Sequence, residues 1–432
     1  MTKKVIIVGA GPCGVLLAHY LLRRGDKYEI EIYERRHDPR IVAFENSRTF
    51  PISLNERGMN SLSQIEGLES AVKDISLSVM GGIFHQKNGK TRYSPKNKPL
   101  VTLDRTKLAI VMLEQLTQKY GSSRLKIHFN CQCMETDFIA KAIQIKNLET
   151  LQEFAANYDL LIGADGASSV VRKNLLDTED FECVEEYVTN DYKSLFLSAP
   201  DEKSSNIKPG NIHSWMLNDG TIVLLLFQKD GTLSGVIHFP HEKNQVKSLA
   251  SKEDVLKFFQ NNLPEIGQLI TEEEAEAFLD RPISRMLTIR CNRYNHGNSV
   301  LLMGDSAHAV SFFIGQGCNA SLEDVVVFDN LLNEYSDNLD KVLQQFTIHR
   351  REDAHALVEL GNNTFPLSKR LFIEYLFRDI SAKTLHRLFP KKYLPPLSDL
   401  IFESSLPYSK ILESYKGWIS KVKKSNAKFL AS

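Results

Sequence analysis

Val5-Ile6-Ile7-Val8-Gly9-Ala10-Gly11-Pro12-Cys13-Gly14 decides the fold of this chain. Its first four residues are all β-branched, as suits a buried parallel strand. Gly9-x-Gly11-x-x-Gly14 follows directly and opens a helical pattern with Val15, Leu16, Ala18, Leu21 and Leu22 facing inward. Glycines at this spacing permit a tight turn, close approach of backbone to a pyrophosphate, and close helix–strand packing. The helix N-terminus adds unpaired N–H groups and a dipole that favours an anion. Glu29 to Glu34 reads as the second strand, so the βαβ opening of a dinucleotide fold is complete. Glu34 ends that strand, where a carboxylate accepts hydrogen bonds from ribose hydroxyls and repels a 2′-phosphate. The same residues also describe a plain strand–helix turn without a ligand; strand, helix and acid in register favour the site.

Two further glycine patterns follow. Gly163-Ala164-Asp165-Gly166-Ala167-Ser168-Ser169 succeeds the apolar run Leu160-Leu161-Ile162, and taken alone reads as an Asp-Gly turn. Gly304-Asp305-Ser306-Ala307-His308 succeeds a buried strand over 299–303. Gly315-Gln316-Gly317-Cys318-Asn319 then opens a helix expected over 318–334. Asp305 is suited to a ribose or ribityl hydroxyl. The backbone N–H groups of residues 315–319 are suited to negative charge at the edge of a flavin ring. His308 reads as a structural residue beside its motif.

Lys+Arg and Asp+Glu both number 53 in 432 residues, so no global field recruits nucleic acid or an anionic membrane. The length suggests two to three domains. Six cysteines, at 13, 131, 133, 183, 291 and 318, form neither a disulfide framework nor a usual metal-ligand pattern. Reduced thiols in the cytoplasm are expected. The apolar N-terminal run is broken by Gly9, Gly11, Pro12 and Gly14, which separates it from a signal peptide. No window reaches about 18 consecutive apolar residues, so no membrane span is expected. Ile411, Leu412, Tyr415, Trp418, Ile419 and Val422 have helical spacing and read as a terminal helix packed on the body, with a membrane-surface helix as the minor reading.

The fold class expected is α/β: a Rossmann-like FAD-binding domain of the glutathione-reductase type, interleaved with an antiparallel-sheet substrate domain and followed by a helical C-terminal region. The FAD-binding domain takes residues 1–75, 104–180 and 291–345. The substrate domain takes 76–103 and 181–290, and the helical region 346–432. The halves of the cofactor site then come together from distant sequence. A monomer or weak dimer is expected.

The chain resembles the class A flavoprotein aromatic hydroxylases, and within them the kynurenine 3-monooxygenases, over nearly its whole length. The matching text includes Tyr33-Glu34-Arg35-Arg36-x-Asp38-Pro39-Arg40, Ile52-Ser53-Leu54-Asn55-Glu56-Arg57-Gly58 and Asp104-Arg105-x-x-Leu108. It continues in Leu160 to Gly166, Phe313-x-Gly315-Gln316-Gly317-x-Asn319, Leu322-Glu323-Asp324, His349-Arg350 and Phe402 to Tyr408. The resemblance implies that NADPH or NADH reduces FAD. It implies that O2 is captured as a flavin C4a-hydroperoxide and one oxygen passes to a small aromatic substrate. It also implies that Arg105 contacts the FAD phosphates, that Asp165 lies near the cofactor and nicotinamide path, and that Asp305 holds the ribityl–pyrophosphate link. Gly9, Gly11, Gly14, Glu34, Arg35, Gly315, Gly317, Cys318 and Asn319 complete the expected cofactor contacts. Tyr93, Phe313, Thr364, Tyr408 and Met80 are the expected substrate contacts.

Departures from that family fall on the substrate side. Met80 or Gly82 stands where an arginine pairs with the kynurenine carboxylate, and neither replaces a bidentate guanidinium. Thr364 and Phe365 stand where the family has Asn-Tyr, and Ala309 and Phe312 where it has prolines. An intact flavin machinery with an altered pocket follows, taking a less acidic, more apolar aromatic such as an indole or anthranilate relative. His85 and Arg92 are read as solvated surface residues. The alternatives are a flavin reductase or oxidase without oxygen insertion, and a degenerate flavin-binding protein. A flavin halogenase is disfavoured, because Trp215 and Trp418 are the only tryptophans and do not form a Trp-x-Trp motif.

Overall fold

Strand Lys3–Val8 lies at the centre of a six-stranded sheet, between Leu160–Gly163 and Tyr28–Tyr33, and pairs with both in parallel. Val300–Leu302 extends the sheet in parallel beyond Leu160–Gly163, and Leu125–His128 beyond Tyr28–Tyr33. Asn295–His296 closes one edge antiparallel. The central strands are apolar on both faces because helices cover both: Val5, Ile6, Ile7, Leu160, Leu161 and Ile162 are all fully buried. Burying such a side chain contributes about 1.5–3 kcal/mol. The computed structural model describes residues 2–42, 49–121, 123–200, 206–242 and 244–430.

Helix Pro12–Leu22 starts with proline at its first turn, where the missing N–H removes no helical bond. It packs on Gly317–Glu334, the helix that follows the third glycine motif. A small three-stranded antiparallel sheet, Cys131–Asp137, Ala142–Asn147 and Glu153–Asn157, sits beside the parallel sheet.

The second large sheet has eight strands, drawn from residues 51–54, 77–104, 183–240 and 284–291. Its pairs are antiparallel, except that Asn211–Met216 runs parallel to Leu77–His85. Side chains alternate across it, as the pleat requires. Leu195, Leu197, Trp215, Leu225, Ile237 and Phe239 bury one face against Phe258, Phe259 and Phe278 of the helices between 252 and 280. Tyr192, Ser194 and His238 alternate with these residues and point the other way, toward the cofactor side: the Ser194 hydroxyl donates to the Thr49 carbonyl at 2.6 Å.

From residue 339 the chain is helical, with breaks at 364–368, 389–396 and 404–407. In the last helix, Tyr408–Leu430, residues Ile411, Trp418, Ile419 and Val422 are buried in an apolar cluster with Leu357, Leu360, Leu371 and Tyr375. That helix therefore packs on the body. Helix Lys369–Leu388 instead carries exposed apolar side chains, with Ile373, Phe377, Ile380 and Leu388 facing solvent. Among the described residues no helix is long and apolar enough to cross a membrane.

Candidate active site

The three glycine motifs leave the C-terminal ends of three adjacent parallel strands, the position at which open α/β sheets bind ligands. Val8 pairs with Gly163, and Gly163 with Leu302. Backbone bonds then tie the turns together: Ala164 N–H donates to the Val8 carbonyl at 2.9 Å, and Met303 N–H to the Gly163 carbonyl at 3.0 Å. Gly9 has φ +106°, and a Cβ there would collide with the Ala164 carbonyl. A Cβ on Gly14 would overlap the Gly9 carbonyl. Gly11 differs, since a Cβ there meets nothing within 4 Å. Gly9 and Gly14 thus shape the turn, and Gly11 lies at open space as the N-cap of a helix with no side-chain cap.

Glu34 reaches back over this turn. Its carboxylate accepts the Ala10 N–H at 2.9 Å and the Arg36 N–H at 2.9 Å. A cavity beside it is lined by Val8, Gly9, Glu34, Arg35, Cys133 and Asp165. Arg35 is exposed at its mouth. A larger hollow, between Gln245 and Asn262, shares no residue with these motifs. Asp165 accepts the Val170 N–H at 2.7 Å through Oδ2. Its Oδ1 is buried without a hydrogen-bond partner among the described residues, and burial raises its carboxyl above the usual range. An unpaired carboxylate oxygen, an uncapped helix end and open space at Gly11 are a set of features that a dinucleotide satisfies, so the residues present fit FAD.

On the other side of the cleft, Asp305 begins a short turn of helix after Gly304 and is open to the cleft. The surrounding walls raise its carboxyl, while Arg105 and His308 pull it down. Arg105, the first residue of helix Arg105–Lys119, is half-buried with its guanidinium over the Phe50 ring. Gly315 has φ +58° and ends a short turn, Phe312–Ile314. Helix Gly317–Glu334 then starts with no side-chain cap, which leaves N–H groups at Gly317, Cys318 and Asn319 directed at the cleft end. Burial pushes the Cys318 thiol up to about 12, so it meets the cofactor side as a neutral group. Asn319 is fully buried, and its amide donates to the carbonyls of Ser53 and Gly315 at 3.0 and 3.1 Å.

Two buried charge networks fix these loops. Asp324 accepts the Gly304 N–H at 2.8 Å, with His308 Nε2 at 2.7 Å and Arg350 Nε at 2.7 Å. Burial would raise this carboxyl, but His308 and Arg350 outweigh it and hold it below the usual range. His308 is thus a structural residue, as its sequence suggests. Arg172 donates to the Ser306 carbonyl at 3.0 Å and the Ala167 carbonyl at 2.6 Å, bridging the second and third motifs. The bridging role of Arg172 is not readable from sequence, because Ser306 lies 134 residues further along the chain.

The expected substrate contacts are dispersed. Met80 and Tyr93 lie on neighbouring strands, 45% and 55% exposed, and the Tyr93 ring covers Gly81. Phe313 is half-buried in the turn before Gly315. Thr364 caps the end of helix Leu339–Asn363, is fully buried and donates to the Leu360 carbonyl at 2.6 Å. The buried Tyr408 hydroxyl donates to Gln316 Oε1 at 3.0 Å, under the Arg57 guanidinium. Arg92 is exposed, as expected. The reading of His85 as a solvated residue is corrected: it is buried, stacked on Trp215 at 4.2 Å, with Nε2 2.8 Å from His213 Nδ1. Its Nδ1 lies 2.8 Å from Glu265. The cause is strand pairing, which sets His85 opposite Trp215 on the helix-covered face of the sheet.

Residues 2–360 match the family described as FAD binding domain. The kynurenine 3-monooxygenase of Drosophila willistoni is 30% identical over 423 residues, covering 96% of this chain and 90% of that protein. That of Flavobacterium psychrophilum is 27% identical, covering 95% and 91%. Among solved structures, 2-methyl-3-hydroxypyridine-5-carboxylic acid oxygenase has a TM-score of 0.69 at 17% identity, covering 84% of this chain and 90% of that one. A Klebsiella pneumoniae HpxO variant complexed with FAD has a TM-score of 0.66, also at 17% identity, covering 89% and 96%. At such identities the structures share the fold.

Proposed function

The chain belongs to the FAD-binding-domain family of FAD-dependent aromatic monooxygenases, and from that premise we propose that it consumes NADH or NADPH to hydroxylate an aromatic compound that lacks a carboxylate handle. The carrying observation is the pairing of a complete cofactor cleft with an aromatic wall. Tyr192, Phe312 and Phe313 gather where the third motif meets the eight-stranded sheet. Met80 or Gly82 meanwhile stands in place of the arginine that the family resemblance implies.

Bound FAD supplies electron transfer from the nicotinamide and activation of O2. The chain's own residues bind and orient. Glu34 receives the ribose, and the helix end after Gly11 faces the pyrophosphate. Arg105 and Asp305 flank the linking segment. The N–H groups at Gly317 and Cys318 hold negative charge at the ring edge. Phe312, Phe313 and Tyr192 exclude water from the oxygen-transfer step. A thioether at Met80 cannot pair bidentately with a carboxylate, so amino-acid substrates lose their anchor. With its six cysteines free, the protein suits a reducing, cytoplasmic compartment.

The test is NADH and NADPH oxidation by the FAD-loaded protein, with L-kynurenine or with neutral aromatics such as indole. H2O2 and incorporation of labelled O2 into product are followed together. Neutral aromatics are expected to stimulate oxidation and gain oxygen, and kynurenine to do so weakly. Strong turnover of kynurenine to 3-hydroxykynurenine would sink the altered-pocket reading. Stimulated oxidation with no oxygen in any product would make the protein a reductase or oxidase.

A further inference from the structure

His238 has no exposed surface and no hydrogen-bond partner on either ring nitrogen among the described residues. It lies on strand Leu233–Pro240, on the face opposite Ile237 and Phe239 and directly across from Tyr192. The Phe312 ring stacks on it, with centroids 3.8 Å apart and planes at 26°. Phe313 lies at 5.8 Å and Tyr192 at 6.2 Å. Phe312 and Phe313 belong to the turn that ends at Gly315, so the imidazole stands on the wall next to the flavin-edge motif.

A wholly buried imidazole with two idle nitrogens is unfavourable, and phenylalanine would fill the same aromatic cluster without an unpaired polar group. Stacking with Phe312 covers a face of the ring, while both nitrogens lie on its edge. The polar edge is therefore directed along the wall, in the plane that a flat ligand stacked beside Phe312 and Phe313 would share.

We propose that His238 is the specificity-determining residue of the aromatic pocket, hydrogen-bonding a hydroxyl or amino group carried in the plane of the substrate ring. This inference rests on the aromatic-hydroxylase reading and adds a substrate class to it: phenols and aryl amines. A neutral imidazole offers one N–H and one lone pair, and so both accepts from and donates to such groups. A carboxylate there would bring a buried charge that an imidazole kept neutral by its burial does not balance. The same substituents enrich the ring in electrons, as oxygen transfer requires. His238 has no exposed surface, so a substrate that stacks on this wall meets its edge only as a neighbouring side chain gives way.

The test uses matched pairs: phenol against anisole, and aniline against N,N-dimethylaniline. Each is titrated into FAD-loaded wild type, His238→Phe and His238→Gln, with Kd read from the flavin absorbance. Wild type is expected to prefer the member bearing an O–H or N–H by about tenfold, the loss of one satisfied hydrogen bond. His238→Phe should bind both members alike, and His238→Gln should keep part of the preference. His238→Phe should also melt at a higher temperature, because it removes two unpaired nitrogens. No preference in wild type, or an undiminished preference in His238→Phe, overturns the inference alone. If no aromatic perturbs the flavin spectrum of FAD-loaded wild type, the hydroxylase reading falls and this inference falls with it.

Discussion

Asn319 clamps Asn55: its amide oxygen accepts the Asn55 N–H at 3.0 Å and fills the space that a Cβ on Gly58 would need. Helix Glu56–Ser63 is thereby held against helix Gly317–Glu334, although some 260 residues separate them. Replacing glycine by alanine inside a helix usually stabilises it by about 0.5–1 kcal/mol. Here overlap with a buried, fully bonded amide outweighs that gain. Gly58→Ala should destabilise the protein by about 1–3 kcal/mol and loosen FAD. A melting temperature at or above that of wild type would show that the clamp yields freely.

The glycines of the opening motif should separate in their effects. Gly9→Ala and Gly14→Ala meet backbone carbonyls of the folded chain, and Gly9 also holds a positive φ, so both should lower the melting temperature of the cofactor-free protein. Gly11→Ala meets open space and should leave that temperature unchanged within about a degree, a surface-like substitution in stability terms. It should nonetheless weaken FAD, because the added methyl stands where the pyrophosphate approaches. Melting curves without FAD, paired with flavin titrations, read the two effects separately.

Asp324→Asn should be severe. It leaves Arg350 buried without its nearest counter-charge, and loss of one partner of such a pair costs about 3–5 kcal/mol. Glu323, 2.9 Å from Arg350, shares the charge and offsets part of the loss. Denaturant unfolding checks the magnitude. A midpoint equal to that of wild type would show that the network is dispensable.

Acid should destabilise the fold well above the carboxylate range. Burial lowers His19 and His213 to about 4, below the unfolded value of about 6.5. Their stabilisation is therefore whole above pH 6.5 and is lost as pH falls toward 4, because the unfolded chain binds more protons in that window. Each contributes a slope of up to roughly 1.4 kcal/mol per pH unit, and His238 acts in the same direction. Unfolding midpoints from pH 7.5 to 4.5 test this. His19→Gln, whose amide can still reach the Met112 carbonyl, should flatten the slope by one group's share.

Much of the cofactor side is legible in sequence because it is local. A β-branched run, a glycine turn and a helix announce themselves within some fifteen residues, and Lys3–Val8, Leu160–Gly163 and Val300–Leu302 are strands in the structure. The adjacency of Asp165 to Gly9, or of Arg172 to Ser306, is set by strand order, which no local pattern carries. His85 shows the same limit: it stands between Phe84 and Gln86, which leaves its direction open, and register with Trp215 places it inside. His238 hides among apolar strand residues, and only the fold shows that it faces Phe312 and not the helices.

The charge knot at Asp324 also governs biogenesis. The opening turn leaves the ribosome with Gly14, but the arginine that locks the opposite wall is residue 350. At ordinary translation speeds the interval is roughly 20–70 seconds. Throughout it, a nascent chain carries an apolar parallel sheet whose third motif strand, Val300–Leu302, arrives late. A product truncated before Arg350 leaves Asp324 buried without its guanidinium and should fail to hold FAD, which its flavin absorbance after purification reads.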